Sequence, residues 1–375
     1  ALAVGQARAN ALTTRQGNIL LDWDRTAASV ETAVGPIYVL AYVHPDKAVR
    51  DAGEACIVAY TQFETSLYQN EALYQRVQAV EPADAIDRKF KQDLLNAFAD
   101  SGVSLPPAKR ERAAAILTEI QSLSQQFARN IRENDQTLSF SGAQLAGLPA
   151  TYLEQRGVEP GGTLTVGFDS PDYAPFMRSA RDEGARQRYY TAFNRRGGAA
   201  NLELLDRIVQ LRYEYAQLHD LASFSDFVLK RRMVGGPARL ERFLDEVGAV
   251  TRDAEAGDVE RLRAMKAKDL GKPLEAVTLQ QWDRSYYIEQ YRQQTAKIDQ
   301  EALRAYFPSL AVRDWILAVT EGQYSVRFVP ADVPVWHEDV TYYAVVDARS
   351  GALLSGIYLY LFPRDGKYKH AAAVP

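Results

Sequence analysis

The chain holds little sulfur and little histidine. Its 375 residues include one cysteine, Cys56, and three methionines. A single cysteine excludes an internal disulfide and fits a reducing compartment. The four histidines are His44, His219, His337 and His370, and no two stand four residues apart. The sequence therefore lacks His-Glu-x-x-His, which puts two imidazoles on one helix face for zinc, with the glutamate as general base. His337-Glu338-Asp339-Val340-Thr341 matches the first half of that motif and fails at Thr341. It also follows Pro334 and enters a strand-like run, the wrong element for ligation at i and i+4. Gly161-Gly162 and Gly235-Gly236-Pro237 lack the spacing and the Gly-Lys-Ser/Thr of a phosphate loop, so they read as helix punctuation. No run approaches the ~20 apolar residues of a membrane span. The first residue is not methionine and no signal-peptide pattern follows it, from which we expect a processed or trimmed N-terminus. A net charge of −4 gives no reason to expect nucleic acid or an acidic membrane as partner. There is no internal repeat and no low-complexity tract.

What is present is ordinary for a globular protein, with 47% hydrophobic and 25% charged residues. The length allows a large core and two or three domains. Residues 1–140 read as long helices. Thr26–Val43 is largely apolar and ends at His44-Pro45, because a residue before proline avoids the α region. Val49, Ala52, Cys56, Ala59, Phe63 and Leu67 then step by three or four, which predicts one apolar stripe with Cys56 as a small core residue. Ile86, Phe90, Leu94 and Phe98 predict another. Ser101–Pro107 breaks that helix, and a long one carrying Ile116, Ile120, Leu123, Phe127 and Ile131 follows.

Residues 141–172 change character, with turns at Gly147-Leu148-Pro149 and Gly161-Gly162 and a strand at 163–168; this is the expected subdomain junction. Helical patterning resumes over 173–330, where Asn201 reads as a helix cap. Trp282, Tyr286 and Tyr287 fit an aromatic core at helical spacing or the lining of a peptide cleft. Arg195-Arg196 and Lys230-Arg231-Arg232 read as solvated helix ends. Tyr324–Val329 reads as a short strand. Residues 331–375 carry the clearest β signal. Val340–Val346 and Ala352–Phe362 are rich in β-branched and aromatic residues, with the turn sequence Asp347–Gly351 between them. A lone hairpin is marginal in water, so this one must pack on helices or join a larger sheet.

PVWHEDV at 334–340 and YLYLFPRDGKYKHAA at 358–372 resemble segments of the thimet oligopeptidase/neurolysin family of zinc metallopeptidases, which includes bacterial oligopeptidase A and dipeptidyl carboxypeptidase. VHPDKAVRDA (43–52), QLAGLPATYLE (144–154), YTAFNRRG (190–197), WDRSYY (282–287) and AYFP (305–308) resemble further family segments in family order. The resemblance covers almost the whole chain. It implies a mainly α fold, a long-helix two-lobed clamshell around a narrow channel, with a small β-hairpin or sheet near the C-terminus. It also places the zinc helix downstream of the GKYKHAA segment.

On that reading the chain is the N-terminal part of a zinc oligopeptidase that cleaves internal bonds of short peptides. It would supply no catalytic residue and no metal ligand. Zinc belongs to the complete protein, and none is expected on this chain. The partners implied are short peptides and, in the split-enzyme variant of this reading, the remaining catalytic segment as a separate chain. The compartment implied is the cytoplasm, with the periplasm left open. Trp336, His337, Arg364, Tyr368 and His370 are the substrate-contact candidates. Two have a structural alternative: a hydrogen-bonded histidine for His337 and a salt bridge for Arg364. The family usually has an acidic residue where this chain has Tyr360. The competing reading is a non-catalytic helical protein of the same descent that binds peptides or a partner chain.

Overall fold

The computed structural model describes residues 7, 10–12, 19–296, 300–362, 364 and 367–368, without the side chains of 300 and 301. It is mainly helical, with two small antiparallel sheets. The chain divides into two compact units, one of residues 1–133, 197–249 and 366–375, the other of 134–196 and 250–365.

The first unit is a stack of long helices: α1 (Ile19–Val43), α2 (Lys47–Tyr68), α3 (Glu71–Ala79), α4 (Ala85–Asp100) and α5 (Pro107–Arg132). Its later elements are α9 (Gly198–Leu218) and α10 (Phe224–Leu229). Side chains fix the starts. Asp46 accepts from the Ala48 amide, Asn70 from Leu73 and Asp84 from Asp87. α1 packs on α2, α2 on α5 and α5 on α9. Gly53 permits the first of these contacts, because a Cβ there would stand 2.9 Å from the Cβ of Ala41. Trp23, Leu73, Val77 and Phe98 form one core. Ala113, Ile116, Leu211 and Tyr215 form another, between α5 and α9.

The apolar stripe expected on α2 is not its buried face. Arg50, Gly53, Glu54, Ile57 and Thr65 are buried there, while Cys56 is half-buried and Ala52 exposed. The cause is an ion cluster. Glu54, 4% exposed, accepts from Arg129 Nε at 2.9 Å and from Arg132 Nη2 at 2.6 Å. On α4 the start of the predicted stripe is likewise open, with Ile86 78% exposed. Asn201 is not a cap. It lies inside α9, donates to Phe127 O at 3.1 Å and accepts from Asn130 at 2.7 Å. Lys230 and Arg231 are more than solvated ends, since both pair with the Asp100 carboxylate. α1 also amends the membrane reading: it is long and apolar enough to cross a bilayer, with a window of mean hydropathy 1.2. Core helices of soluble proteins pass the same test, and α1 places Ile19, Leu20 and Trp23 in a core.

The second unit begins with β1 (Leu138–Ser141) and β2 (Thr163–Val166), paired antiparallel with Phe140 opposite Leu164. β1 escapes the sequence reading because Leu-Ser-Phe-Ser is short and half serine. Between the strands lies α6 (Ala150–Gln155); then come α7 (Ser170–Ser179) and α8 (Glu183–Asn194). Phe140, Leu164, Phe176 and Tyr189 centre the core. Asp172 is buried beneath it, held by Tyr152 Oη at 3.1 Å, by Arg156 and by the Gly167 amide. Burial, and then repulsion from Asp169, still raise its pKa.

α11 (Pro237–Leu270) crosses the division between units, and α12 (Arg284–Ala296) packs on α7. Tyr286 and Tyr287 are buried with Leu262, and Trp282 packs partly buried on the Phe140 core; the aromatic-core reading is the one observed. The tightest polar cluster of the unit lies here. Asp283, 0% exposed, accepts from Arg186 Nη2 at 2.8 Å and from Lys266 Nζ at 2.6 Å. Arg186 also donates to the carbonyls of Ala180, Arg181 and Trp282 and lies over the Tyr286 ring. Burial would lower the Lys266 pKa, but the Asp283 and Glu183 carboxylates outweigh it and hold the ammonium above its usual value.

α13 (Gln300–Arg304) and α14 (Ser309–Tyr324) lead to a three-stranded antiparallel sheet, β3 (Val326–Pro330), β4 (Thr341–Asp347) and β5 (Leu353–Leu359), in the order β3-β4-β5. The hairpin and the short preceding strand are those read from sequence. Asp347 Oδ1 builds the turn by accepting from the amides of Arg349 at 3.0 Å and Ser350 at 2.6 Å. A bulge separates Val345 from Val346. Across β4 and β5 the Tyr342 side chain lies over Gly356, where a Cβ would collide with its ring and hydroxyl.

Two outcomes test these polar clusters. Asp283→Ala leaves two buried cations without their carboxylate and is expected to cost about 3–5 kcal/mol in urea denaturation; a loss under 1 kcal/mol would show that the trio is solvated. The second concerns His219. Burial, and then Lys230, lower its pKa below 6.5, with Arg231 acting the same way and Asp100 and Asp220 opposing. Its Nε2 is buried without a partner among the described residues, between the rings of Tyr215 and Phe227. A lowered pKa means that the stability this residue permits is present above 6.5 and lost as pH falls. His219→Phe should therefore lose less stability than the parent between pH 7.5 and 5.0, read from urea midpoints at both values.

Candidate functional site

Three of the five substrate-contact candidates meet at one end of the β3–β5 sheet. Trp336 and His337 sit in the connection 331–340, which ends on buried Val340. The His337 carbonyl accepts from the Val340 amide at 3.1 Å and folds the connection back. His337 Nδ1 accepts from the Asp339 amide at 3.1 Å, so its ring is oriented by its own loop. Trp336 packs on Tyr358 with ring centroids 5.3 Å apart and on Tyr360 at 6.0 Å. His337 lies 5.4 Å from the same Tyr360 ring.

Arg364 completes the group. Its guanidinium lies 5.4 Å from the Tyr360 centroid and its Nε donates to the Tyr360 hydroxyl. The contact of Arg364 described here is to Tyr360. Tyr360 is thus the hub of the cluster. The sequence carried a signal for it. Tyr358 and Tyr360 are two residues apart at the end of a strand, which turns both to one face. Tyr342 opposite Tyr358 extends the aromatic patch, with centroids 4.7 Å apart.

Tyr368 belongs to the first unit. Its amide donates to Tyr42 O at 2.9 Å and its ring meets Tyr42 edge-on at 6.1 Å. His370 lies outside the described residues. The cluster offers rings, a guanidinium and the Trp336 indole N–H, which is buried without a partner among the described residues. These groups can stack on and hydrogen-bond to a peptide. They contain no nucleophile beside a base. Among the described residues no three His, Cys, Asp or Glu side chains converge on a point. His337 has one acidic neighbour, Asp339 Oδ2 at 3.6 Å, and its Nδ1 is already occupied by the Asp339 amide. The donor set of a zinc ion is therefore not assembled from these side chains.

The fold is one of long helices, and its small sheet carries an aromatic and basic cluster. The family described as "Peptidase family M3" matches residues 176–374, more than half of the chain, and the chain belongs to that family. Among curated relatives, the probable thimet oligopeptidase of Arabidopsis thaliana is 29% identical over 76% of this chain and 40% of its own length. Oligopeptidase A of Escherichia coli is 26% identical over 91% of this chain and 53% of its own. Saccharolysin of Saccharomyces cerevisiae is 27% identical over 91% and 52%. The chain spans about half the length of the curated relatives it matches.

Tyr360 supplies the test of the cluster. Removing its ring in Tyr360→Ala deletes two ring contacts and the cation–π contact with Arg364, expected to cost about 1.4 kcal/mol, or tenfold faster amide exchange in β5. Tyr360→Phe keeps the stacking and is expected to stay within threefold of the parent. Equal acceleration in both would transfer the stabilisation to the hydroxyl.

Proposed function

We propose that this chain is the peptide-contacting, non-chemical part of a zinc-dependent oligopeptidase, and that the complete protein cleaves internal bonds of short peptides in the cytoplasm. The observation that carries the reading is the family match running through the Trp336–His337–Tyr360–Arg364 cluster to residue 374, in a chain of about half its relatives' length. Names such as oligopeptidase A and thimet oligopeptidase support short peptides as substrates. No chemical step is assigned to this chain's residues. Their part is binding. The Arg364 guanidinium can donate to a peptide carboxylate or carbonyl, and Trp336 can donate its N–H while packing a side chain.

A second reading, a non-catalytic peptide- or partner-binding protein of the same family, draws support from Tyr360. An aromatic hub in place of an acidic residue removes a charge that a catalytic neighbourhood could use.

The test joins this chain, after residue 375, to the region of Escherichia coli oligopeptidase A that carries its zinc motif. The expected result is one zinc per joined chain and chelator-sensitive cleavage of a fluorogenic peptide of about ten residues. Arg364→Ala should raise KM more than it lowers kcat, because it removes binding rather than chemistry. A joined protein that binds zinc but cleaves nothing would favour the second reading.

A further inference from the structure

In the first unit, the turn between α1 and α2 and the end of α5 gather more cationic charge than the carboxylates beside it take up. Arg50 is 6% exposed and stands one helical turn before Glu54 on the buried face of α2. The Arg132 side chain is 5% exposed and reaches Glu54 from α5. Both oxygens of Glu54 are taken, Oε2 by Arg129 and Oε1 by Arg132. Arg132 has a second carboxylate in Glu133, at 3.6 Å. Asp51 attracts Arg50 and Arg129 from the solvent side, but it is exposed and pairs with Lys47 at 2.7 Å. Arg50 donates through Nη1 to two carbonyls, His44 O at 2.9 Å and Pro45 O at 2.8 Å, and these carry no full charge. Each buried guanidinium also keeps one N–H idle. Arg50 Nε and Arg132 Nε are buried without a partner among the described residues. A buried donor left unused is costly, more so on a charged group. Two of them in one cluster call for an acceptor that the side chains here do not supply.

We infer that Arg50 and Arg132 hold a small inorganic anion, of the size and charge of chloride, between the α1–α2 turn and the end of α5. The donors idle there are N–H groups on cations, so the ligand must accept hydrogen bonds and carry negative charge. A water molecule would meet the first need and leave the second, and an uncompensated buried charge is the costlier of the two. Both Nε atoms are shut off from solvent, which favours a single-atom anion over phosphate or a peptide carboxylate. Access runs past Arg129, whose side chain is 37% exposed and forms the rim of the cluster. The site also reaches a substrate-contact candidate. The Arg132 guanidinium lies 5.8 Å from the Tyr42 ring centroid, and the Tyr42 carbonyl accepts from the Tyr368 amide. An anion that fixes Arg132 therefore steadies the seat of Tyr368. This inference is independent of the peptidase reading, since it needs neither zinc nor peptide.

The experiment is urea denaturation of the chain as sodium chloride replaces sodium gluconate at constant ionic strength, which holds screening fixed. The expected result is a saturable stabilisation, about tenfold in the folding equilibrium at 100 mM chloride for a Kd of about 10 mM. Arg132→Lys and Arg50→Lys keep the charge but remove the Nε donor, and each should lose that increment. Lys89→Gln, on the exposed face of α4, should keep it. Crystals grown in bromide give a second readout that needs no variant. One anomalous peak should lie within hydrogen-bond reach of Arg50 Nε and Arg132 Nε. The Tyr368 amide should exchange at least threefold more slowly in chloride than in gluconate. No saturable difference between the two salts overturns the inference, and so does a cluster filled by water with bromide elsewhere. A bromide at the cluster with no stabilisation marks an adventitious ion only, which overturns it too. Stabilisation with Tyr368 exchange unchanged overturns the link to Tyr368.

Discussion

A carboxylate sealed between two cations is the constraint on which the second unit turns. Asp283 has no exposed surface, and its two oxygens each serve a different charge, Arg186 on one side and Lys266 on the other. Burying such ions costs several kcal/mol each, offset here by mutual attraction and by hydrogen bonds that use the remaining donors. Geometry leaves little freedom. Arg186 must sit where it also reaches three carbonyls, and Lys266 where it also reaches Glu183. α8, α11 and the start of α12 are thereby fixed against one another within the unit. An apolar core of similar size would bind these helices with comparable strength but would tolerate sliding. Hydrogen-bonded charges do not.

The first unit uses the same device at Glu54, and this explains which parts of the sequence could be read. Elements were legible where one physical signal dominated. His44-Pro45 ended a helix, Asp347–Gly351 turned a hairpin, and alternating aromatic and β-branched residues gave β4 and β5. Buried faces were legible where they were apolar, as at Leu94 and Phe98. They were not legible on α2, where the buried face carries Arg50 and Glu54, because periodicity counts a charge as outside. Asn201 misled for a related reason. Its side chain suits a cap, but in α9 it meets Asn130 and the Phe127 carbonyl, which no local pattern announces. β1 was too short to show.

The candidate site was legible in part. Trp336, His337 and Arg364 were singled out and do converge. Their meeting point, Tyr360, stood out only as a departure from the family pattern. Its role as hub follows from strand alternation combined with a loop that folds back onto the sheet, and the fold-back is a tertiary fact. Family membership then accounts for the long helices and the small sheet together. It does not supply a metal site, since the described histidines are dispersed and His337 is committed to its own loop.

The packing of the Tyr342 ring over Gly356 has a consequence for how the hairpin forms. The ring occupies the space that any side chain at 356 would need. A slip of one residue along β5 would drive Ser355 or Ile357 into it, so steric exclusion alone sets the alignment of the two strands. The hairpin therefore carries a register lock internal to itself. The slow search that non-local strand pairing usually imposes is thereby confined to a short, local loop closure.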